Sequence, residues 1–342
     1  MTQTHIQGTG SYVPDDIVTN DELVRRYGID TDDAWIVRRT GIHARRFAPE
    51  GVGTTDLALP AARAAIEAAG IAPHELDLIV FCTLSPDHCF PGSGVLLQRA
   101  LGLCDAGRFI PAIDVRNQCA GFLYGLSHAH AVVQAGMARH VLLVGAELQS
   151  AALDLSTRGR AVASLFGDGA GAVVVSASDR PGGLRSIVLG ADGRHAAELT
   201  QPVWDTRRRP FVPLDEAGNA RIPPEQLWAH MNGQVVFKHA IERMTAVLHE
   251  ACAAAAVDVS SIDLFCFHQA NNRINHAVQE LLGVPDERVA HNIERYGNTT
   301  SASIPLLLDE AVREGRLVPG MRVACVAFGS GFVWGAAILD WK

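Results

Sequence analysis

The chain has 342 residues, 48% hydrophobic and 19% charged, with a formal net charge of −8. This describes a folded chain long enough for two cores, and its acidic balance speaks against nucleic-acid binding that rests on overall positive charge. No apolar run approaches the ~18 residues of a membrane helix, and the N-terminus lacks the basic-then-apolar layout of a signal peptide. The seven cysteines include no Cys-x-x-Cys pair. Reduced thiols, a cytoplasmic location and no membrane contact are therefore expected.

In chain order, the pattern predicts a helix over 55–69, stopped by Gly70, and a strand over 76–82. A strand over 110–115, a helix over 120–135 and strands over 140–144 and 170–176 follow. Beyond them come a long helix over 224–255, a strand over 264–267 and helices over 273–282 and 303–314. Strands over 323–327 and 335–339 close the chain. Alternation of this kind is α/β.

The chain also repeats itself. AAGIAPHELDLIVF (68–81) echoes AAAVDVSSIDLFCF (254–267), and AGMARHVLLVGAE (135–147) echoes VPGMRVACVAFGS (318–330). GAGAVVV (169–175) echoes WGAAILD (334–340), and the three echoes keep the same order. Two duplicated α/β halves, 1–177 and 178–342, joined through Ser178-Asp179-Arg180-Pro181-Gly182-Gly183, account for this. The stretch 191–226, with Arg207-Arg208-Arg209-Pro210, reads as a long loop, either a lid or a plain insertion.

Three residues stand where chemistry collects. Cys119 lies between a strand ending near Val115 and a helical pattern, so its sulfur is expected at a helix N-terminus that favours the thiolate. It reads either as an acyl-accepting nucleophile or as a small buried core thiol. His268 ends the strand LFCF opposite Cys82 in the repeat, and Asn298 lies in the loop YGNTT. Each alone reads more readily as a structural residue than as a functional one. The glycine clusters FGDGAG (166–171) and FGSG (328–331) have neither Rossmann nor P-loop spacing. They suit tight turns or backbone N–H groups brought close to a substrate. Metal motifs such as His-Glu-x-x-His are absent despite 14 histidines.

Taken together, DVRNQCAGF, HQANNRI and YGNTTSASIP, with GTGSYVPDDIVTNDEL, WIVRRTGI, LFGDGAGA, MNGQVVFKHA and FGSGFVWGAAIL, resemble the β-ketoacyl-acyl carrier protein synthase III family of the thiolase superfamily. The resemblance spans essentially the whole chain and implies a five-layered αβαβα thiolase-like fold. It implies decarboxylative condensation of an acyl-CoA primer with malonyl-acyl carrier protein through an acyl-Cys119 intermediate, without a metal or redox cofactor. His268 and Asn298 would bind the malonyl thioester oxygen, and the N–H groups of Cys119 and Ser330 would form the oxyanion hole. Trp35 and Arg158 would sandwich the adenine of coenzyme A, with Thr31 and Arg39 beside them and Gly233 and Asn271 along the pantetheine tunnel. Lys238 and Arg273 would meet the acidic carrier protein, and Phe90 would close the partner's acyl pocket in a homodimer.

The chain departs from the family pattern at Gln118, at Ser330, at Glu280 and Leu281, and in the 191–226 stretch. Rival readings are a transferase of secondary metabolism that acylates oxygen or nitrogen or joins two long acyl chains, a cysteine protease, and a non-catalytic acyl binder. Malonyl-dependent release of carbon dioxide separates the first of these. The duplicated halves and the tunnel motifs argue against the second, and the retained triad argues against the third.

Overall fold

A computed structural model describes residues 2–210 and 212–342. Nine strands build its two large sheets, numbered here in chain order. They are β1 (Gln3–Tyr12), β2 (Leu78–Cys82), β3 (Ala112–Val115), β4 (His140–Glu147), β5 (Gly169–Ser178), β6 (Gly183–Ala191), β7 (Leu264–Phe267), β8 (Arg322–Gly329) and β9 (Val333–Asp340). The main helices are α1 (Thr54–Ala68), α2 (Gly121–Gln134), α3 (Gly233–Ala255), α4 (Asn272–Leu282) and α5 (Ser303–Arg313).

The first sheet runs β3-β2-β4-β5-β1 and the second β7-β8-β9-β6. In each, the parallel pair that opens the shared order (β2/β4, β7/β8) is followed by two antiparallel pairs. The three sequence echoes therefore map strand for strand, β2 onto β7, β4 onto β8 and β5 onto β9. A fourth equivalence, β1 with β6, escapes the pattern search for a physical reason. Helix α1 lies so close to β1 that a Cβ on Gly8 or Gly10 would sit 2.3 Å from the backbone at Ala69 or Ala61. Glycines that permit this approach replace the β-branched residues by which a strand is recognised.

Five layers result. Helices α2 and α5 lie between the sheets, packing Phe122, Leu126, Leu307 and Leu308 against Val80, Val141, Cys266 and Cys325. Helix α1 covers the outer face of the first sheet, on Ile79, Leu142 and Val174. Helices α3 and α4 cover the second, on Phe265, Val326 and Ile338. Because both sheets are covered on both faces, β4 is buried at every residue and reads as a continuous apolar run.

The long helix predicted over 224–255 divides in two. Pro224–Leu227 is a single turn, and α3 begins only at Gly233, where the Asn232 side chain caps it. Between them His230–Met231 pairs with Leu199–Thr200, so a tertiary ladder overrides local helix preference. The helices Asn20–Tyr27, Asp33–Thr40 and Ser93–Ala100 were also missed. The first carries a legible signal, a capping box in which Thr19 accepts from the N–H of Glu22 while the Glu22 side chain accepts from that of Thr19.

Candidate active site

Both central helices begin in the same way. A 3₁₀ turn, Gln118–Ala120, leads into α2, and a second, Thr300–Ala302, leads into α5. Each turn opens on a left-handed non-glycine residue, Gln118 with φ 45° and Thr300 with φ 51°, a conformation held only where the surroundings impose it. The duplication thus extends to the elbow, with Ser301 standing in the second half where Cys119 stands in the first. The Ser301 hydroxyl lies within hydrogen-bond reach of Glu147 at 2.7 Å and of the Cys82 carbonyl at 2.8 Å. Cys119 is free of such ties.

Cys119 is buried, and the backbone N–H groups of Cys119 itself and of Ser330 both point at its sulfur. The approach of the second needs Gly329, since a Cβ there would lie 2.8 Å from the cysteine's own Cβ. These two donors are the pair expected for an oxyanion hole. The expectation of a thiolate is corrected. Burial, with the Glu147 carboxylate adding to it, pushes the thiol up to about 12, and the two N–H groups offset only part of that.

His268 follows β7 directly, its N–H bonded to the Val326 carbonyl. Its Nδ1 is 2.8 Å from the Ser303 hydroxyl, which already accepts the Gln269 N–H at 2.9 Å. The roles in that bond follow the imidazole tautomer: with the hydrogen on Nε2, Ser303 donates to Nδ1. Nε2 is buried without a hydrogen-bond partner. Burial pulls His268 down to about 3, so the ring is neutral across the working range. Asn298 is held through its backbone to Leu165 and Gly167 of the FGDGAG motif. Its Oδ1 accepts the Thr300 N–H at 2.8 Å, leaving the amide N–H₂ as its donor side.

A neutral buried histidine also fixes a pH dependence. Between pH 6.5 and 3 the unfolded chain binds a proton at His268 that the folded chain does not, so stability falls as pH falls through that window. At 1.36 kcal/mol per pH unit the loss amounts to ~5 kcal/mol at its acid end. His268→Gln should flatten this limb, losing less stability than the wild type between pH 6 and pH 4 in denaturant titrations. Parallel curves would show that other groups set the acid limb.

Two cavities meet at Cys119. A narrow one of about 120 Å³ is lined by His268, Asn298, Gly233, Phe237 and Asn271. A wide one of about 980 Å³ shares Cys119, Phe166 and Leu199 with it and extends along Gln118, Gln149, Trp204, Ala229 and Ser330. The 191–226 stretch, mostly irregular in its described residues, supplies Ala196, Leu199, Thr200, Gln201, Val203 and Trp204 to that wall. Phe211 within it lies outside the described residues.

The outer positions fall in one region but not in the expected pairs. Arg273 and Lys238 are exposed, the former with its guanidinium 5.4 Å from the Phe237 ring at the end of the narrow cavity. Asn271 caps α4 and donates its amide to the Arg39 carbonyl. Trp35 has Arg39 over its ring at 4.6 Å and Arg160 at 5.4 Å. The Arg158 guanidinium is held away by Asp154 at 2.6 Å. Arg160, two residues on from Arg158, was not singled out by the sequence reading, and it lies against the Trp35 ring. The Thr31 hydroxyl is buried without a partner. Phe90 is 84% exposed, on the loop whose Asp87 and His88 line the wide cavity. Among the described residues no helix is long and apolar enough to cross a membrane, and no cluster of side chains suits a metal ion.

Comparison with known proteins places this arrangement. Residues 113–193 match the family model for 3-oxoacyl-[acyl-carrier-protein] synthase III, and residues 252–341 match its C-terminal model. The β-ketoacyl-[acyl carrier protein] synthase III of Thermus thermophilus is 42% identical, with 99% of each chain covered and a TM-score of 0.87. That of Aquifex aeolicus VF5 is 37% identical over 99% of this chain and 100% of its own, with a TM-score of 0.86. The priming β-ketosynthase of the R1128 polyketide biosynthetic pathway is 34% identical over 99% and 96%, with a TM-score of 0.87. This chain belongs to the 3-oxoacyl-[acyl-carrier-protein] synthase III family and is a thiolase-fold ketoacyl synthase, an acyltransferase that condenses acyl groups.

Proposed function

We propose that the enzyme joins an acyl-CoA primer to malonyl-acyl carrier protein, with loss of carbon dioxide, through an acyl group carried on Cys119. The observation that supports this best is the meeting of two unequal cavities at one buried cysteine, with the partnerless His268 Nε2 and the Asn298 side chain along the narrow one. A thioester arm enters the narrow cavity and its acyl group passes into the wide one. The Cys119 sulfur bonds to the acyl carbon, the carbon–sulfur bond to coenzyme A breaks, and the cysteine proton leaves with the departing thiol. The N–H groups of Cys119 and Ser330 hold the oxyanion; each donor of this kind is typically worth ~3 kcal/mol.

Malonyl-carrier protein then takes the narrow cavity. Its carbon–carboxylate bond breaks, carbon dioxide leaves, and His268 and Asn298 donate to the enolate oxygen. The carbon so released attacks the acyl-cysteine, forming the new carbon–carbon bond and freeing the sulfur, which regains a proton. No oxidation state changes, so the sequence of bonds calls for no redox cofactor. Arg273 and Lys238 receive the acidic carrier, Trp35 and Arg158 receive the adenine with Thr31 and Arg39 beside them, and Gly233 and Asn271 border the path of the arm. A second copy, seated over Phe90, completes a cytoplasmic homodimer.

Intact-protein mass spectrometry tests the first half-reaction, and trapping of carbon dioxide from carboxyl-labelled malonyl-carrier protein tests the second. Acyl mass should appear on the wild type and be absent from Cys119→Ala, and carbon dioxide should be released only from the acylated enzyme. Acylation without any consumption of malonate would transfer the assignment to simple acyl transfer. Light scattering on the same sample at micromolar concentration should read twice the chain mass, and an active monomer would remove the second copy.

A further inference from the structure

Resting on the acyl-Cys119 reading above, we infer that the Ser330 side chain is a positioning group for acylation, one that uses the 191–226 stretch to hold the Ser330 N–H at the reacting sulfur. The Ser330 hydroxyl donates to the Leu199 carbonyl, while its own backbone N–H points at the Cys119 sulfur. One residue thus joins the nucleophile to a segment 131 positions away in the chain.

The acceptor is fixed. The N–H of Asn232, the cap of α3, bonds to the Glu198 carbonyl at 2.7 Å, and Leu199–Thr200 pairs antiparallel with His230–Met231. Glu198 and Asn232 are therefore a hydrogen-bonded pair, and Leu199 and Met231 beside them a non-hydrogen-bonded one. That alternation turns the Leu199 carbonyl out of the ladder, where the Ser330 hydroxyl meets it. The start of the stretch pins the same loop twice more. Asp192 and Phe332 exchange backbone N–H to carbonyl bonds at 2.8 and 2.9 Å, and the His195 ring stacks on the Phe332 ring at 5.0 Å. Phe332 is buried, but Ser330 is only half-buried and borders the wide cavity. Its chain neighbours are Gly329 and Gly331, the residue type that restrains a backbone least. The hydroxyl supplies the restraint that they do not.

An oxyanion donor acts by being in place before the charge develops, and a small misplacement is costly. Purified full-length protein is offered acetyl-, butyryl- and octanoyl-coenzyme A, and the thioester that labels the wild type fastest is used throughout. Ser330→Ala and Ser330→Gly remove the hydroxyl and keep the N–H. Both should lower the maximal rate of mass gain on Cys119 about tenfold, less than the ~10²–10³-fold cost of a donor lost outright. The half-saturating thioester concentration, and the affinity for free coenzyme A read by calorimetry, should stay at the wild-type values. Ser330→Thr, which keeps the hydroxyl, should restore the rate. A rate unmoved in the folded hydroxyl-free variants, a slowing matched by an equal loss of coenzyme A affinity, or no relief in folded Ser330→Thr overturns the inference while leaving the acyl-cysteine standing. Failure of every thioester to label Cys119 in the wild type overturns the acyl-cysteine reading, and this inference with it.

Discussion

His268→Ala and Asn298→Ala should still take up an acyl group on Cys119 yet release carbon dioxide and form product ~10²–10³-fold more slowly, the usual cost of losing one preorganised donor. Cys119→Ser should do the opposite, with acylation collapsing first. The separation follows from where the donors stand. The Cys119 and Ser330 N–H groups face the sulfur, whereas His268 and Asn298 line the narrow cavity. Ser303→Ala is the finer test. It leaves the imidazole in place but removes its hydrogen-bond partner at Nδ1, so condensation should slow by less than in His268→Ala while acylation is spared. Single-turnover measurement of the two halves reads all four variants. If His268→Ala lost acylation as well, His268 would be the base that takes the Cys119 proton, and the division of roles would fall.

The second large effect concerns Glu147. Its buried carboxylate ends β4 and accepts from the Ser85 and Ser301 hydroxyls at 2.7 Å, from the Thr83 hydroxyl and the Leu84 N–H at 3.2 Å, and from the Gln149 amide at 3.3 Å. Burial raises its pKa and these donors oppose the rise. The end of β2, the end of β4 and the turn before α5 are thereby tied together beside the nucleophile. Glu147→Ala leaves the N–H groups of Leu84 and Ser301 without an acceptor, at ~1–3 kcal/mol each, and opens a void. A loss of ~3–5 kcal/mol is expected, seen as a fall of several degrees or more in Tm. Glu147→Gln keeps the shape and removes the charge, so it should destabilise less and bring the Cys119 thiol down from its raised value. The pH profile of thiol alkylation reads that shift. An unchanged Tm in Glu147→Ala would mean that the serines and water re-form the network without the carboxylate.

The residue pattern was sufficient for the strands β2, β4, β5, β7, β8 and β9, because each is covered on both faces and must be apolar throughout. It was sufficient for the repeat too, since two sheets of equal strand order select similar runs in the same sequence. The likeness at DVRNQC, HQANNRI and YGNTT points to Cys119, His268 and Asn298, and all three line one narrow cavity in the folded chain. Strand β1 stayed hidden because its glycines answer to the closeness of α1, a demand made from 50 residues away. The helix over 224–255 was overcalled because the break comes from pairing with Leu199–Thr200 and not from the local residues. Charge state was beyond local reading as well. A helix N-terminus argues for a thiolate, but depth of burial and a carboxylate from another strand outweigh it at Cys119. The same holds for Arg160 and Arg158, two residues apart in one sequence, where Asp154 takes the one and the Trp35 face takes the other. Local sequence carries what a residue needs from its immediate neighbours and its face of a sheet. Ionisation, stacking and the width of the chamber at Cys119 are sums over atoms that only the folded chain brings within a few ångströms.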